Sequence, residues 1–234
     1  MSSSIKPTDV LKFWFSRSAC TESRSLLSSS TWMMSQMPKW FGISSSSFQK
    51  IPATEQAQID DSCRFLEPAL EKAFTGVLST DPDWKPESPD DYKPLLAQTI
   101  LLDQISRNIY RGSTSAFSYD NKAIICARKL HEMGMVELEG VELSECMFAF
   151  MPLTHSEELV DHELNTHLAK RQAERWPGNM SSETVKQAED HAIVIRRFGR
   201  YPHRNKLMGR EGTPEEIEYL SDVENLPAWA KSQM

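Results

Sequence analysis

The stretch EQAQIDDSCRFLEPALEKAFTGV, which covers residues 55–77, has its apolar side chains three or four residues apart. These side chains belong to Ile59, Cys63, Leu66, Leu70, Ala73, Phe74 and Val77. Because an α-helix turns once in about 3.6 residues, this spacing puts all of them on one face. The stretch therefore predicts an amphipathic helix that packs against the rest of the protein through its apolar face.

Similar helical patterns recur along most of the chain, and Pro177-Gly178 is a typical helix stop. The further predicted helices cover residues 8–15, 95–110, 115–133, 144–150, 154–176 and 183–198, with a last one that begins at Pro214. No segment alternates apolar and polar residues over a useful length, as a half-buried strand does. The sequence therefore predicts an all-α fold of antiparallel helix pairs, in a single domain of 234 residues.

Residues 16–54 break the helical pattern, because they are rich in serine and their apolar residues show little periodicity. Aromatic residues such as Trp32 and Trp40 interrupt the serine runs at 28–30 and 44–47. We predict a long loop or an insertion anchored by these rings. Loops of this length more often act as lids or carry other functions than serve as plain connections.

The composition narrows the class of protein and its partners. A net charge of -7 opposes diffuse binding to nucleic acid, which needs an excess of Lys and Arg. No apolar run approaches the ~20 residues of a membrane span, and the first residues lack the apolar stretch of a signal peptide. We therefore expect a cytoplasmic protein that binds neither nucleic acid nor membrane.

The cysteines do not point to a disulfide framework or a zinc site, because Cys20, Cys63, Cys126 and Cys146 are scattered without a CxxC spacing. Cys126 and Cys146 lie among apolar residues and are predicted to be buried thiols. No nucleotide-binding fingerprint is present either. We predict a protein that uses neither a cofactor nor a metal.

A first polar segment, residues 101–112, starts apolar and turns charged along one face of a predicted helix. Asp103 and Arg107 form an acid-first pair four residues apart, which is the favourable order on a helix. The pair is either an ordinary surface ion pair or a charge pair at the edge of a cavity. Asn108 and Arg111 follow as candidate ligand-binding residues.

A second polar segment, residues 151–162, contains THSE at 154–157, which matches the capping box of a helix start. His155 would then lie in the first helical turn, where free backbone N–H groups lower the pKa of an imidazole. It would share a face with His162. Glu157 is a candidate catalytic carboxylate or only the partner of the cap. A metal site formed with Asp161 is possible, but the spacing matches no metal motif.

A third polar segment, residues 191–210, concentrates cationic side chains in an acidic protein. Arginine recognises carboxylate or phosphate at two points, so these residues are candidates for binding an anion. The candidates are His191, Arg200, His203, Arg204, Asn205 and Arg210. For the two histidines the alternatives are a core imidazole at 191 and a structural hydrogen bond at 203.

These segments resemble a known family, the proteins of domain-of-unknown-function family 924, found in bacteria and fungi. The resemblance rests on LLDQ at 101–104, RNIYRG at 107–112, MP at 151–152, HSE at 155–157, FGRYPHRN at 198–205 and GR at 209–210, with FWF at 13–15 and WF at 40–41. It covers most of the chain. It implies a fold similar to the tetratricopeptide-repeat-like helical superfamily, with the three polar segments meeting on the concave side, and it implies no activity.

The chain departs from the family pattern at several places. Residues 16–52 are longer and richer in serine, His162 stands where glutamine is expected, and Gly212 stands where serine is expected. These departures are typical of a diverged, specialised member, so a ligand shared with the family does not carry over.

Two functions fit these residues. The first is a cofactor-independent acid/base enzyme, a lyase, isomerase, cyclase or hydrolase, acting on a small anionic or polar organic molecule, as in specialised metabolism. His155 and His203 would exchange protons, Asp103 would orient them, and the arginines would hold the substrate. The alternative is a non-catalytic module that binds an acidic peptide or a metabolite on a concave helical surface. A third, structural interpretation is an internal polar network that specifies the helix packing.

Overall fold

The computed structural model describes residues 4–15, 30–47, 49–227 and 229–230. Within these residues the regular structure is helical, apart from one isolated antiparallel bridge between Ile43 and Lys50. The predicted all-α fold is confirmed. The tetratricopeptide-like arrangement stays a prediction.

The chain packs as two compact units. Unit 1 comprises Met1–Arg111 and Ser115–Pro152, and unit 2 comprises Gly112–Thr114 and Leu153–Met234. That the two units form a single domain stays a prediction. Each unit is described by itself below.

Unit 1 contains the N-terminal helices, linked by short turns and 3₁₀ segments. The helices are α1 (Pro7–Trp14), α2 (Ser30–Phe41), α3 (Ala53–Ser62), α4 (Glu67–Thr75), α5 (Lys93–Ile100), α6 (Ser106–Ile109), α7 (Asp120–Glu132) and α8 (Leu143–His155), of which the last three residues belong to unit 2. A π-helical turn, Leu101–Ile105, joins α5 to α6 without a break. Helix α5 is central, since it packs against both α1 and α7.

An aromatic cluster forms the core of unit 1 between α1, α2 and α8. The Phe148 ring lies 5.3 Å from Trp14, 5.9 Å from Phe15 and 4.8 Å from Trp40, each edge-to-face. The Trp40 indole N–H donates to the Trp14 carbonyl at 3.2 Å, so this buried polar group is satisfied. The cluster explains why a largely polar N-terminal sequence stays attached to the unit.

Part of the predicted loop at 16–54 is wrong, because α2 lies within it. Residues 16–29 and Phe48 lie outside the described residues. Met33 and Trp40, seven residues apart, are both buried, so the helix is stabilised by packing that its serine-rich composition hides. The described residues from Gly42 to Pro52 are non-helical, as predicted.

The single helix predicted over 55–77 is also wrong, since α3 ends at Ser62 and α4 starts at Glu67. Pro68 occupies the first turn of α4. Proline has no N–H to donate, and its ring clashes with the carbonyl four residues before it, so Pro68 disfavours a continuous regular helix across this point. The apolar residues keep their helical spacing across the break between α3 and α4. The sequence pattern therefore did not reveal the break.

Unit 2 is built on the helical hairpin of α9 (Leu159–Arg175) and α10 (Asn179–Phe198), which pack against each other. A 3₁₀ turn, Pro202–Arg204, and α11 (Pro214–Ser221) follow and contact each other. The predicted start of α11 is confirmed. Thr213 caps it in a reciprocal capping box with Glu216.

The helix start predicted at residue 154 is wrong. Helix α8 continues through Thr154 to His155, and α9 begins only at Leu159. The Ser156 hydroxyl accepts the Glu158 backbone N–H at 3.0 Å and donates to the Asp161 carboxylate at 2.6 Å. His155 therefore lies at the end of one helix and His162 in the next, and they share no helical face.

The described cysteines Cys63, Cys126 and Cys146 are buried free thiols, which confirms the prediction for the last two. Among the described residues, no helix has the length and apolar character needed to cross a bilayer.

Replacing Phe148 by Ala is expected to lower the free energy of unfolding by about 3–5 kcal/mol, because it leaves a cavity between three aromatic rings. Urea denaturation followed by circular dichroism measures the change. The matched control is Ile125→Ala on α7, where the side chain is 51% exposed and the loss should stay within about 0.5 kcal/mol. Equal losses in the two variants would contradict the assignment of this cluster as the core.

Candidate functional site

Three histidines lie around the ring of Tyr201 in unit 2, and a fourth, His155, lies near two of them. His155 ends α8, His162 lies in the first turn of α9, His191 lies on α10 and His203 lies in the 3₁₀ turn. The ring centroids of 162, 191 and 203 are 6.1, 6.0 and 5.2 Å from that of Tyr201. His155 acts electrostatically on both His162 and His191, so it belongs to the same group. The second and third polar segments therefore meet, and we call these four residues the histidine cluster.

Main-chain carbonyls hold two imidazoles of the histidine cluster. His162 Nε2 lies 2.7 Å from the Ser156 carbonyl oxygen, and His191 Nδ1 lies 2.6 Å from that of Gln187. A carbonyl oxygen only accepts, so each of these ring nitrogens carries the proton. In the neutral form, His162 then has its lone pair on Nδ1 and His191 on Nε2.

Burial keeps both of these imidazoles uncharged. His162 is fully buried, and burial lowers its pKa below the usual value in spite of the bond to Ser156 and the nearby Asp161. Burial also lowers the pKa of His191, to about 3, and the neighbouring histidines add to the effect. At neutral pH these two residues act as uncharged walls of the site.

Trp229 covers one side of the histidine cluster. Its indole stacks on His191 with centroids 3.9 Å apart and planes 19° from parallel. It meets Tyr201 and His203 edge-on, at 5.6 and 5.4 Å. The site therefore has an aromatic wall that includes the C-terminal segment.

Glu157 anchors Tyr201 through its carboxylate. Arg210 binds both carboxylate oxygens, at 2.6 and 3.0 Å, and the backbone N–H of Tyr201 donates to Oε1 at 2.8 Å. Burial raises the pKa of Glu157, but these bonds, with Arg204 nearby, outweigh burial and lower it overall. Glu157 is thus an ionised structural partner and not the helix cap expected from the sequence.

Arg200 makes a second two-point ion pair, with Glu216 on α11. Its Nε and one terminal nitrogen lie 2.6 and 2.8 Å from the two carboxylate oxygens, and Asn205 donates to the same carboxylate at 3.1 Å. The bonds from Arg200, and with them the Thr213 N–H and Asn205, lower the pKa of Glu216 to about 2. Arg200, Asn205 and Arg210, predicted as ligand-binding residues, are therefore engaged by protein groups.

Arg204 is placed differently. It donates to the His155 carbonyl at 3.0 Å, its guanidinium lies 4.6 Å from the centroid of the Tyr201 ring, and it is buried. A buried guanidinium beside the histidine cluster supplies positive charge there.

Residues 101–111 of the first polar segment belong to unit 1, and the histidine cluster belongs to unit 2. Asp103 is fully buried in the π-helical turn and pairs with Arg107 at 3.0 Å, and Arg107 lies 2.9 Å from Asp120. Burial alone would lower the pKa of Arg107, but the two carboxylates raise it overall. The pair is thus a buried network and not an ordinary surface ion pair.

Asn108 and Arg111 link α6 to α3. Arg111 donates to both carboxylate oxygens of Asp60, at 2.7 and 3.0 Å, and to the side-chain oxygen of Asn108, at 2.7 Å. That the first segment converges with the other two, and that an arginine-rich pocket is open to a ligand, both stay predictions.

Sequence reasoning missed three residues of the site. Tyr201 lies inside the FGRYPHRN motif at 198–205. The motif indicated the turn that carries the site residues, but it did not indicate the role of the tyrosine ring. Glu216 could have been found from the capping box that Thr213 begins. Trp229 carried no signal, because a single aromatic residue after the last helix has no pattern around it.

Within the residues that the structure describes, no metal site is found at the histidine cluster. No three His, Cys, Asp or Glu side chains there are arranged to hold a metal ion. A surface depression of about 390 Å³ lies in unit 1, lined by Pro38, Ser44, Ser45, Ser47, Gln49, Lys50, Ile51, Pro52 and Glu55, and includes no predicted site residue.

The fold and site define an all-α protein in which carboxylate–guanidinium pairs frame a group of buried histidines. Residues 10–224 match the model of the family described as bacterial protein of unknown function, DUF924, and the chain belongs to this family. The family indicated by the sequence resemblance is confirmed.

Comparison with solved structures gives a similar fold. A protein of unknown function, ATU0120 from Agrobacterium tumefaciens, is 24% identical, with a TM-score of 0.63 over 92% of this chain and 97% of that chain. This likeness concerns the fold alone. None of the curated proteins compared with the chain matches it.

The protein is expected to lose stability as the pH falls below 6.5. The pKa of His191 is 6.5 in its ordinary state and about 3 when folded, so between these values the unfolded state binds more protons and unfolding becomes easier. This one residue contributes a slope of up to about 1.4 kcal/mol per pH unit. His191→Phe should flatten the urea-denaturation profile between pH 7 and pH 5, whereas the exposed His167→Gln should leave it steep. An unchanged slope in His191→Phe would show that its imidazole does not titrate in this way.

Arg210→Ala is expected to cost about 1.5–3 kcal/mol of unfolding free energy, because it leaves the half-buried Glu157 carboxylate without its charged donors. Arg197→Ala serves as the control, since its pair with Glu215 is exposed on both sides and should contribute at most about 1 kcal/mol. Chemical denaturation of both variants at pH 7 gives the comparison, and similar costs would argue against an anchoring role for Glu157.

Proposed function

We propose that unit 2 carries a cofactor-independent acid/base site that acts on a small polar organic molecule. The observation that supports this is the grouping of four imidazoles from four separate segments, three of them against the ring of Tyr201. Imidazole is the side chain whose ordinary pKa lies nearest to neutral pH, so it is suited to transfer protons in either direction. A lyase, isomerase, cyclase or hydrolase would use such a site.

In this proposal His155 and His203 exchange protons with the substrate. His155 is half-buried and so the most accessible of the four, and His203 lies beside Tyr201. His162 and His191 are held uncharged by burial, and they shape the site instead of donating protons.

Arg204 is the residue we assign to the negative charge that develops during proton abstraction. Its guanidinium is buried next to the His155 carbonyl, and charge stabilisation is strongest where water is excluded. Arg200 and Arg210 hold Glu216 and Glu157, so the proposal gives them the task of fixing the turn that carries His203 and Arg204. It requires no part from Asp103, Arg107, Asn108 or Arg111, which have partners in unit 1.

A binding module for an acidic peptide has less support. Such a module needs guanidinium groups available on its surface. Arg200 and Arg210 each already bind a carboxylate at two points, so an acidic ligand would have to displace Glu216 or Glu157.

The proposal can be tested without knowing the substrate. Purified protein is incubated with a mixture of small metabolites, and mass spectrometry identifies compounds that it consumes. His155→Gln and His203→Gln should each slow that consumption about 10²–10⁴-fold, the usual contribution of a general acid or base. The exposed His167→Gln on α9 is the matched control and should act like the unmodified protein.

Circular dichroism and the pH dependence of the rate complete the test. Folded variants at 155 and 203 that both consume the compound at the normal rate would remove these histidines from the mechanism. A rate that does not change between pH 5 and pH 8 would contradict imidazole as the acid or base.

A further inference from the structure

The Trp229 indole is enclosed as a bound ring would be. One face lies on His191 at 3.9 Å between centroids, which is close to ring contact. Tyr201 and His203 turn toward it at 77° and 68°, edge-to-face. Stacking on one side and edges on two others is a geometry that favours a planar aromatic ring over an aliphatic group.

An exposed connection joins α11 to the segment that carries Trp229. Residues 222–225, directly after α11, are exposed, while Leu226 and Ala230 are buried on either side of Trp229. Exposed connections with few buried contacts open at low free-energy cost. An indole carried beyond such an exposed connection is displaced at a lower free-energy cost than a side chain within α9 or α10.

We propose that Trp229 is an internal stand-in for the ligand, and that the molecule taken by the histidine cluster carries a planar aromatic or heteroaromatic ring of about the size of indole. The ring stacks on His191, meets the edges of Tyr201 and His203, and displaces the indole of Trp229. This inference rests on the proposed function, because it names the substrate class of the same site.

The charges of the site agree with an uncharged ring. His191 is neutral at physiological pH, since burial lowers its pKa to about 3. A neutral imidazole stacks on a neutral ring without the cost of desolvating a charge. Arg204, whose guanidinium lies 4.6 Å from the centroid of the Tyr201 ring, places a positive charge near the ring position.

The experiment uses the full chain with Trp229→Ala and indole as the probe. Isothermal titration calorimetry should show saturable binding of indole at least tenfold tighter than to the unmodified protein, in which Trp229 competes. Cyclohexanol, a smaller and non-planar apolar ring, should bind at least tenfold more weakly than indole. The signals of the His191 imidazole in nuclear magnetic resonance spectra should shift on titration with indole.

Two control variants distinguish a preformed ring-binding site from a cavity that is created only by removing a side chain. Trp229→Phe keeps a ring in place and should bind indole less tightly than Trp229→Ala. Trp176→Ala removes a partly buried indole elsewhere in unit 2, beside Arg175, and should not shift the His191 signals when indole is added.

Equal affinities for indole and cyclohexanol, or indole binding that leaves the His191 signals unchanged, would overturn the proposal. If Trp229→Ala does not fold, indole is titrated into the unmodified protein instead. The signals of Trp229 and His191 should then shift together, and no shift at millimolar indole would overturn it. These outcomes are independent of turnover: ring binding with normal consumption by the variants at 155 and 203 would refute the acid/base mechanism and leave the ring site intact.

Discussion

The position of Tyr201 depends on the carboxylate of Glu157, and the arrangement of the histidine cluster depends on Tyr201. Glu157 accepts the Tyr201 backbone N–H, while Arg210 bridges the same carboxylate to the Tyr201 carbonyl, at 3.2 Å. The phenol then donates to the carbonyl of Thr154 at the end of α8. Tyr201 is thereby held in place at both its backbone and its hydroxyl. Its ring provides the surface against which three imidazoles lie.

The guanidinium groups of unit 2 show how an acidic protein accommodates the arginine-rich turn between α10 and α11. A buried charge is tolerated only when it is paired and fully hydrogen-bonded. Arg200 and Arg210 are each paired with a carboxylate at two points. The pair of Arg200 with Glu216 joins the start of the turn to α11, and the pair of Arg210 with Glu157 joins the turn to the segment before α9. The density of arginine that marks this segment in the sequence is thus explained in large part by folding. Arg204 donates to a main-chain carbonyl and lies against an aromatic ring.

The sequence predicted the helical class, most helix positions in the second half of the chain and the residues of the histidine cluster, because periodicity and unusual residue types are local signals. It failed where the deciding interaction is distant. Helix α2 forms because Met33 and Trp40 find a core elsewhere in unit 1. The helix start proposed at Thr154 matched a local motif, but α8 continues past it, and Thr154 is instead tied to Asn165 and Tyr201. Trp229 and its stack on His191 join residues far apart in sequence, which no local pattern records.

The bonds from His162 and His191 to the main-chain carbonyls of Ser156 and Gln187 have a consequence for how the site can evolve. Every residue type supplies a carbonyl oxygen, so substitutions at 156 and 187 leave these two acceptors in place. The path of the backbone thus determines which ring nitrogen of each histidine carries the hydrogen. In related chains the surrounding side chains can differ. The lone pairs on His162 Nδ1 and His191 Nε2 stay in the same positions, provided the backbone keeps its path and the two histidines remain.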